Sequence, residues 1–312
     1  MPTNASIRKQ ITDQLVRAIE GGVLPWRRPW RRSPNSGRAA NVVSKRPYNG
    51  INPLLLELHR IEHDLGSRWY GTYQQWEQLG CQVRKRPDHV EQGRWCCRIV
   101  FYRPVDKTVV DEGTGEERQD RFYLMRTWTV FNADQVEGAD EWQTGDDDTG
   151  VVMPDFQPAD ELIEATGADI RHHGDRAFYK RPIGPWPHHS DGDYIVVPPR
   201  HRFEPVGSYY ETLLHELGHW SEVRLGWDNQ KAGYAMGELV AEMAASFLAT
   251  ELGVPQAESL ENHAAYLQSW LKEMKDDPAF IFKASTQASK VADYLLGFVE
   301  QEAARPEPAI VV

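Results

Sequence analysis

Apolar residues at Ile7, Ile11, Leu15 and Ile19, with Val16 alongside, recur at every fourth position. That spacing predicts an N-terminal helix, which Gly21-Gly22 stops. The next segment, Pro25-Trp26-Arg27-Arg28-Pro29-Trp30-Arg31-Arg32, is too rich in proline for a helix and too basic for a core. A second helix is expected after Asn52-Pro53, over 54–59, with proline in its first turn. A third starts at Thr72, where Gln75 completes the spacing of a capping box, and ends at Gly80. Residues 97–105 and 126–136 are β-rich. The polar stretch 106–120, with Gly113 and Gly115, reads as a long hairpin loop between them.

The pattern changes near residue 140. Residues 140–149 hold five Asp or Glu and few apolar side chains, the composition of a linker. Beyond it come a short helix over 160–166 and strand-like pieces at 168–171, 177–179 and 194–197. Residues 180–192, with three Pro, two Gly and two His, form a loop. Helical periodicity then dominates over 208–225, 236–252, 259–275 and 279–304. No internal repeat is visible. The fold class is α+β in two domains: an α+β domain over 1–138, an acidic linker over 139–152, and a mostly helical domain with a small sheet over 153–312.

Length agrees with two domains: the chain has 312 residues, 40% of them hydrophobic and 26% charged. No apolar run approaches the ~18 residues that span a bilayer. Residues 1–10 are polar and no apolar segment follows, so a cytoplasmic location without a secretory signal is expected. Cys81, Cys96 and Cys97 are odd in number and two are adjacent, which suits free thiols better than disulfides or a zinc ribbon. The net charge of −11 argues against a nucleic-acid partner until the chain is divided. Residues 1–130 carry 22 Lys and Arg against 14 Asp and Glu, while residues 131–312 carry 13 against 32. A basic half joined to an acidic half suggests divided labour.

Chemistry concentrates in Ser208-Tyr-Tyr-Glu-Thr-Leu-Leu-His-Glu-Leu-Gly-His-Trp220. Ser208 and Glu211 have capping-box spacing, and Leu213, Leu214 and Leu217 supply an apolar side. On that helix His215 and His219 lie one turn apart on one face, and both imidazoles reach one ion. Glu216 stands beside them as general base to a metal-bound water. Glu238 and Glu242 share a face of the next helix. Glu238 is assigned as third ligand and Glu242 as the carboxylate that orients a ligand imidazole, with the reverse assignment open because spacing alone leaves the helix rotation undetermined. The cofactor expected is one Zn²⁺ per chain, with Mn²⁺ as a possible substitute, and the reaction expected is peptide hydrolysis. Tyr234 is a candidate oxyanion stabiliser. The strand at Tyr194–Val197 is either a core strand or an exposed edge that pairs with an extended peptide. The competing reading makes the histidines core-edge residues and the glutamates solvated surface.

The N-terminal half interleaves aromatic and basic residues. Seven Lys or Arg and no acid lie between Arg27 and Arg46. Aromatic platforms with Lys and Arg hold single-stranded nucleic acid. The candidate contacts are Trp26, Arg27, Arg28, Trp30, Arg31, Arg32, Lys45, Arg46, Tyr48, Arg84 and Lys85. Trp69, Trp76 and Trp95, on predicted elements, suit a core better.

The chain resembles the ArdC-type antirestriction proteins, whose N-terminal region also occurs in TraC-type plasmid primases. The likeness rests on Leu24-Pro25-Trp26-Arg27-Arg28-Pro29-Trp30, Tyr48-Asn49-Gly50-Ile51-Asn52, Leu79-Gly80-Cys81-Gln82-Val83-Arg84-Lys85 and Val130-Phe131-Asn132-Ala133-Asp134-Gln135. It continues through 213–220, Glu238-Leu239-Val240-Ala241-Glu242 and Glu261-Asn262-His263-Ala264-Ala265-Tyr266. The resemblance implies an N-terminal domain that binds single-stranded DNA and a C-terminal zincin-like metallopeptidase, carried on mobile elements to protect incoming DNA from restriction. It carries the zinc motif onto His215, Glu216 and His219, with Glu238 as the matching acid. The sequence departs from the family pattern in the Pro-rich segment 180–192 and in Gly237, where the family often has a second acid. The alternative function is a DNA-occluding protein without catalysis, whose metal fold is structural.

Overall fold

The computed structural model describes residues 3–27, 33, 35–110, 117–144, 155–184, 186–187, 191–227, 233–256 and 264–303. Helix α1 (Asn4–Glu20) buries the predicted stripe of Ile7, Ile11, Leu15, Val16 and Ile19. Thr3 caps it by accepting from the Ser6 amide. Helix α2 (Asn52–His63) starts with proline and runs a turn beyond the expected end, to where Asp64 turns left-handed at φ 50°. Helix α3 (Tyr73–Gln78) has the reciprocal capping box read from Thr72 and Gln75.

A four-stranded sheet follows from β1 (Ala40–Asn41), β2 (Trp69–Gly71), β4 (Cys97–Val110) and β5 (Glu117–Asn132), in the order β1-β2-β5-β4. The pair β1–β2 is parallel and the others antiparallel. Strands β3 (Gln82–Val83) and β6 (Val136–Glu137) pair separately. Two expectations change here. The long loop expected over 106–120 is mostly ribbon, since pairing continues from Cys97↔Val130 out to Val110↔Glu117. The second strand also ends earlier, at Asn132, whose side chain caps a short 3₁₀ turn over Ala133–Gln135. Polar composition misled because a two-stranded ribbon can be solvated and still satisfy its backbone across the ladder.

In the C-terminal half, α4 (Gln157–Thr166) precedes strands β7 (Asp169–His172), β8 (Phe178–Lys180) and β9 (Tyr194–Val197), ordered β7-β9-β8. Strand β9 lies between its neighbours, parallel to β7 and antiparallel to β8. It has no free edge for a peptide, and that alternative is corrected in favour of a core strand. Among the described residues, helices α5 (Gly207–Arg224), α6 (Tyr234–Leu252), α7 (Ala264–Asp276) and α8 (Phe280–Ala303) follow. The capping box expected at Ser208 is absent. Ser208 is inside α5, the preceding Val206 makes no side-chain cap, and Glu211 faces Arg27 instead.

One hydrophobic cluster joins the halves, from Ile7, Leu15 and Trp26 to Leu213, Leu248 and Leu295. Trp76 is fully buried in a smaller cluster with Val42, Cys81 and Val136. The three cysteines are free thiols. Among the described residues no helix is long and apolar enough to cross a membrane.

Candidate functional site

Helix α5 carries His215, Glu216 and His219, and α6 carries Glu238 and Glu242. The two helices approach closely because Gly218 faces Ala241; a Cβ on that glycine would lie 3.2 Å from the Ala241 Cα. This contact brings the carboxylate of one helix to the imidazoles of the other. His215 Nε2 and His219 Nε2 are 3.2 Å apart. Glu238 Oε2 lies 3.5 Å from the first nitrogen and Oε1 3.7 Å from the second. A tetrahedral ion with bonds of about 2.0–2.2 Å has edges of about 3.3–3.6 Å. The three donors therefore fit such an ion, and the set of two nitrogens and one carboxylate suits a divalent metal.

Glu242 does not reach this triangle. Its Oε1 accepts from Arg27 Nε at 3.0 Å, and its Oε2 is 3.9 Å from His215 Nδ1, on the far side of the ring and beyond hydrogen-bond length. The carboxylate that does orient a ligand ring is Glu222. It accepts from His219 Nδ1 at 2.8 Å and from Arg181 Nη1 at 2.9 Å, and it is 2% exposed. That bond places the proton on Nδ1 and leaves the Nε2 lone pair aimed at the centre. Sequence reasoning passed over Glu222. Its i+3 spacing from His219 was the available signal.

Burial raises the pKa of Glu216 against the lowering pull of His215 and His219, a shift in the direction that makes a carboxylate a better proton acceptor. Burial would lower the His215 pKa, but the hydrogen bond that it donates to Glu238 and the charges of Glu216, Glu242 and Glu238 outweigh it and raise it. Burial opposes ionisation of Glu238 too, yet its bond to His215 and the charges of both histidines keep its pKa low.

These groups line a cleft of about 540 Å³ walled by Phe178 and Tyr179 of β8 on one side and by Tyr266 and Trp270 of α7 on another. Tyr234 opens α6 rather than preceding it and stands at the rim, 69% exposed, with its hydroxyl 2.9 Å from that of Tyr266. The Tyr266 bond, burial and the Glu238 charge raise its pKa, so it remains a neutral donor.

The expected DNA contacts divide. Trp26 is 2% exposed, edge-on to Trp270 with ring centroids 6.1 Å apart, and its carbonyl accepts from Ser246. Arg27 is drawn into the Glu242 and Glu211 pair. Both are corrected: they pack against the metal-binding half and present no face to a base. Tyr48 is half-buried and its hydroxyl accepts from Asn41. Lys45, Arg46, Arg84 and Lys85 are exposed, with Lys45 over the Trp69 ring at 4.7 Å. Arg28, Trp30, Arg31 and Arg32 lie outside the described residues, as do His188 and His189.

Comparison with known proteins gives one family for each half. Residues 5–131 match the N-terminal domain of anti-restriction factor ArdC, and residues 157–287 match a zincin-like metallopeptidase. A crystal structure of the antirestriction protein ArdC from plasmid R388, metal-free, superposes with a TM-score of 0.71 at 34% identity, covering 94% of this chain and 98% of that one. Its Mn(II)-bound form gives 0.66 at 32% identity, covering 94% and 97%. The protein y4eC of Sinorhizobium fredii is 30% identical over 306 residues, 94% of this chain and 92% of that protein. DNA primase TraC of Escherichia coli is 32% identical over 309 residues; the match takes in 94% of this chain but only 20% of the primase.

Proposed function

Because this chain belongs to the ArdC antirestriction family, we propose that it binds single-stranded DNA and protects incoming plasmid DNA with a zinc-dependent metallopeptidase centre. The observation that carries the catalytic part is the convergence of His215, His219 and Glu238 beside a buried Glu216 in one cleft. His215, His219 and Glu238 would hold the ion, and Glu222 supports the His219 ring from behind. A bound divalent ion supplies Lewis acidity there, lowering the pKa of water and polarising a carbonyl. Glu216 takes the proton of the attacking water and returns it to the leaving amine, a role that its raised pKa favours. Strand β8 is the edge of its sheet and lines the cleft, so its outer backbone can pair with an extended peptide. Tyr234, a neutral donor at the rim, is placed to meet developing negative charge. The basic N-terminal half and its relation to a DNA primase support the DNA reading.

The test is Glu216→Gln in the full chain. Metal content by mass spectrometry should match the parent, peptide hydrolysis should vanish, and protection of incoming plasmid DNA in a restricting host should fall with it. Protection equal to the parent would show that masking DNA is sufficient and would remove peptidase action from the function. Loss of metal together with activity would make Glu216 a structural residue.

A further inference from the structure

The β4–β5 ribbon leaves four large aromatic side chains in solvent: Phe101 is 55% exposed, Tyr102 39%, Tyr123 55% and Trp128 56%. Register sorts them by face. Ile99 pairs with Trp128, Phe101 with Arg126 and Arg103 with Leu124. Because side chains alternate along a strand, Phe101, Arg103, Arg126 and Trp128 share one face. Phe101 and Trp128 are diagonal neighbours on it, a separation of roughly 7–8 Å. Val100 and Met125 project to the other face and enter the core, at 5% and 4% exposure. The face of Val100 and Met125 therefore anchors the ribbon and carries Tyr102 and Tyr123 farther out, while the opposite face holds Phe101 and Trp128 in water.

Charge on the core-proximal stretch of this ribbon is one-sided, the acids Asp106, Glu117 and Asp120 lying farther out. Across 97–103 and 123–130 there are three arginines, Arg98, Arg103 and Arg126, all exposed, and no acid. This basic, aromatic surface complements a polyanion that carries flat rings. We propose that the Phe101–Trp128 face is a stacking platform for single-stranded nucleic acid. Each ring takes the face of one base, and Arg103 and Arg126 meet the flanking phosphates. The site rests on the DNA-binding reading above and assigns to the ribbon the stacking role that the buried Trp26 does not fill. A single strand fits better than a duplex, because rings standing off a sheet meet π-faces only where bases are unstacked. Duplex binding through phosphates needs the arginines and leaves the rings unused.

The experiment is fluorescence anisotropy of the full chain with labelled oligo-dT of about 20 nucleotides, oligo-rU of equal length, and a duplex of mixed sequence. Trp128→Ala and Phe101→Ala should each weaken binding of oligo-dT by about five- to a hundredfold, with Trp128→Phe retaining most of the affinity. Trp128→Leu keeps apolar bulk and removes the flat ring; it should bind as poorly as Trp128→Ala and serves where the alanine variant melts early. Equal losses on oligo-rU would make the platform one for single strands of either sugar. A parent that binds oligo-dT, with all these variants binding equally well, overturns the ribbon site and leaves DNA binding elsewhere in the family domain. A parent that binds no single strand overturns both. Preferential binding of duplex, lost in the same variants, overturns stacking in favour of groove insertion.

Discussion

Glu222 is a buried anion with two partners, the His219 ring at 2.8 Å and the Arg181 guanidinium at 2.9 Å. Removing it frees the ring to rotate and to place a proton on the nitrogen that must ligate. Glu222→Ala should weaken divalent metal binding by about 10–100-fold, measured by competition with a chelating dye. Glu242→Ala should weaken it less, because its oxygen stands 3.9 Å from the His215 ring. A larger loss from Glu242 would reverse their roles. The convergence of His215 and His219 was legible in the sequence because helical spacing alone puts them on one face. Glu222 and Glu242 were not separable there. Which acid reaches an imidazole depends on helix rotation and on competing cations, and Arg27, distant in sequence, occupies Glu242.

At the scale of elements, α5 and α6 are clamped from outside by that same Arg27. Its Nε is 3.0 Å from Glu242 on α6 and its Nη2 3.7 Å from Glu211 on α5, with its side chain 13% exposed. Arg27→Ala removes this guanidinium from two poorly solvated carboxylates, and breaking one side of a buried pair costs about 3–5 kcal/mol. Urea unfolding should show a loss of that order, with Arg27→Lys recovering part of it. Adding Glu242→Ala to Arg27→Ala should cost less than the sum of the single losses, since the stranded anion is then gone. Simple additivity would mean that the clamp carries no coupling. The helices themselves followed from periodicity to within a turn or so, as at α8, expected over 279–304 and found at Phe280–Ala303. Trp26 and Arg27 were misread because the basic, Pro-rich composition around them describes only local conformation. Whether Trp26 and Arg27 face water is decided by α6 and α7, which the local pattern does not contain.

For the whole molecule, the split between a basic and an acidic half has a structural use besides the proposed DNA binding. Arg38 and Arg68 of the basic half meet Glu251 and Asp293 of the acidic half. Arg38 Nη2 is 2.6 Å from Asp293, Arg38 Nε 3.3 Å from Glu251, and Arg68 Nη2 2.9 Å from Glu251. With Trp26 against Trp270 and a continuous apolar cluster, these pairs tie the two family domains into one cooperative body. Glu251→Ala tests this. It strips Arg68 of its carboxylate and leaves Arg38, 3% exposed, with Asp293 alone. The expected loss is about 1–3 kcal/mol, the scale for removing one hydrogen-bonded partner from poorly solvated groups. If the halves fold as one unit, the calorimetric transition should remain single and move down by several degrees as a whole. A transition that splits, with only one component moved, would mean that the halves unfold independently and that the basic surplus of residues 1–130 serves nucleic acid alone.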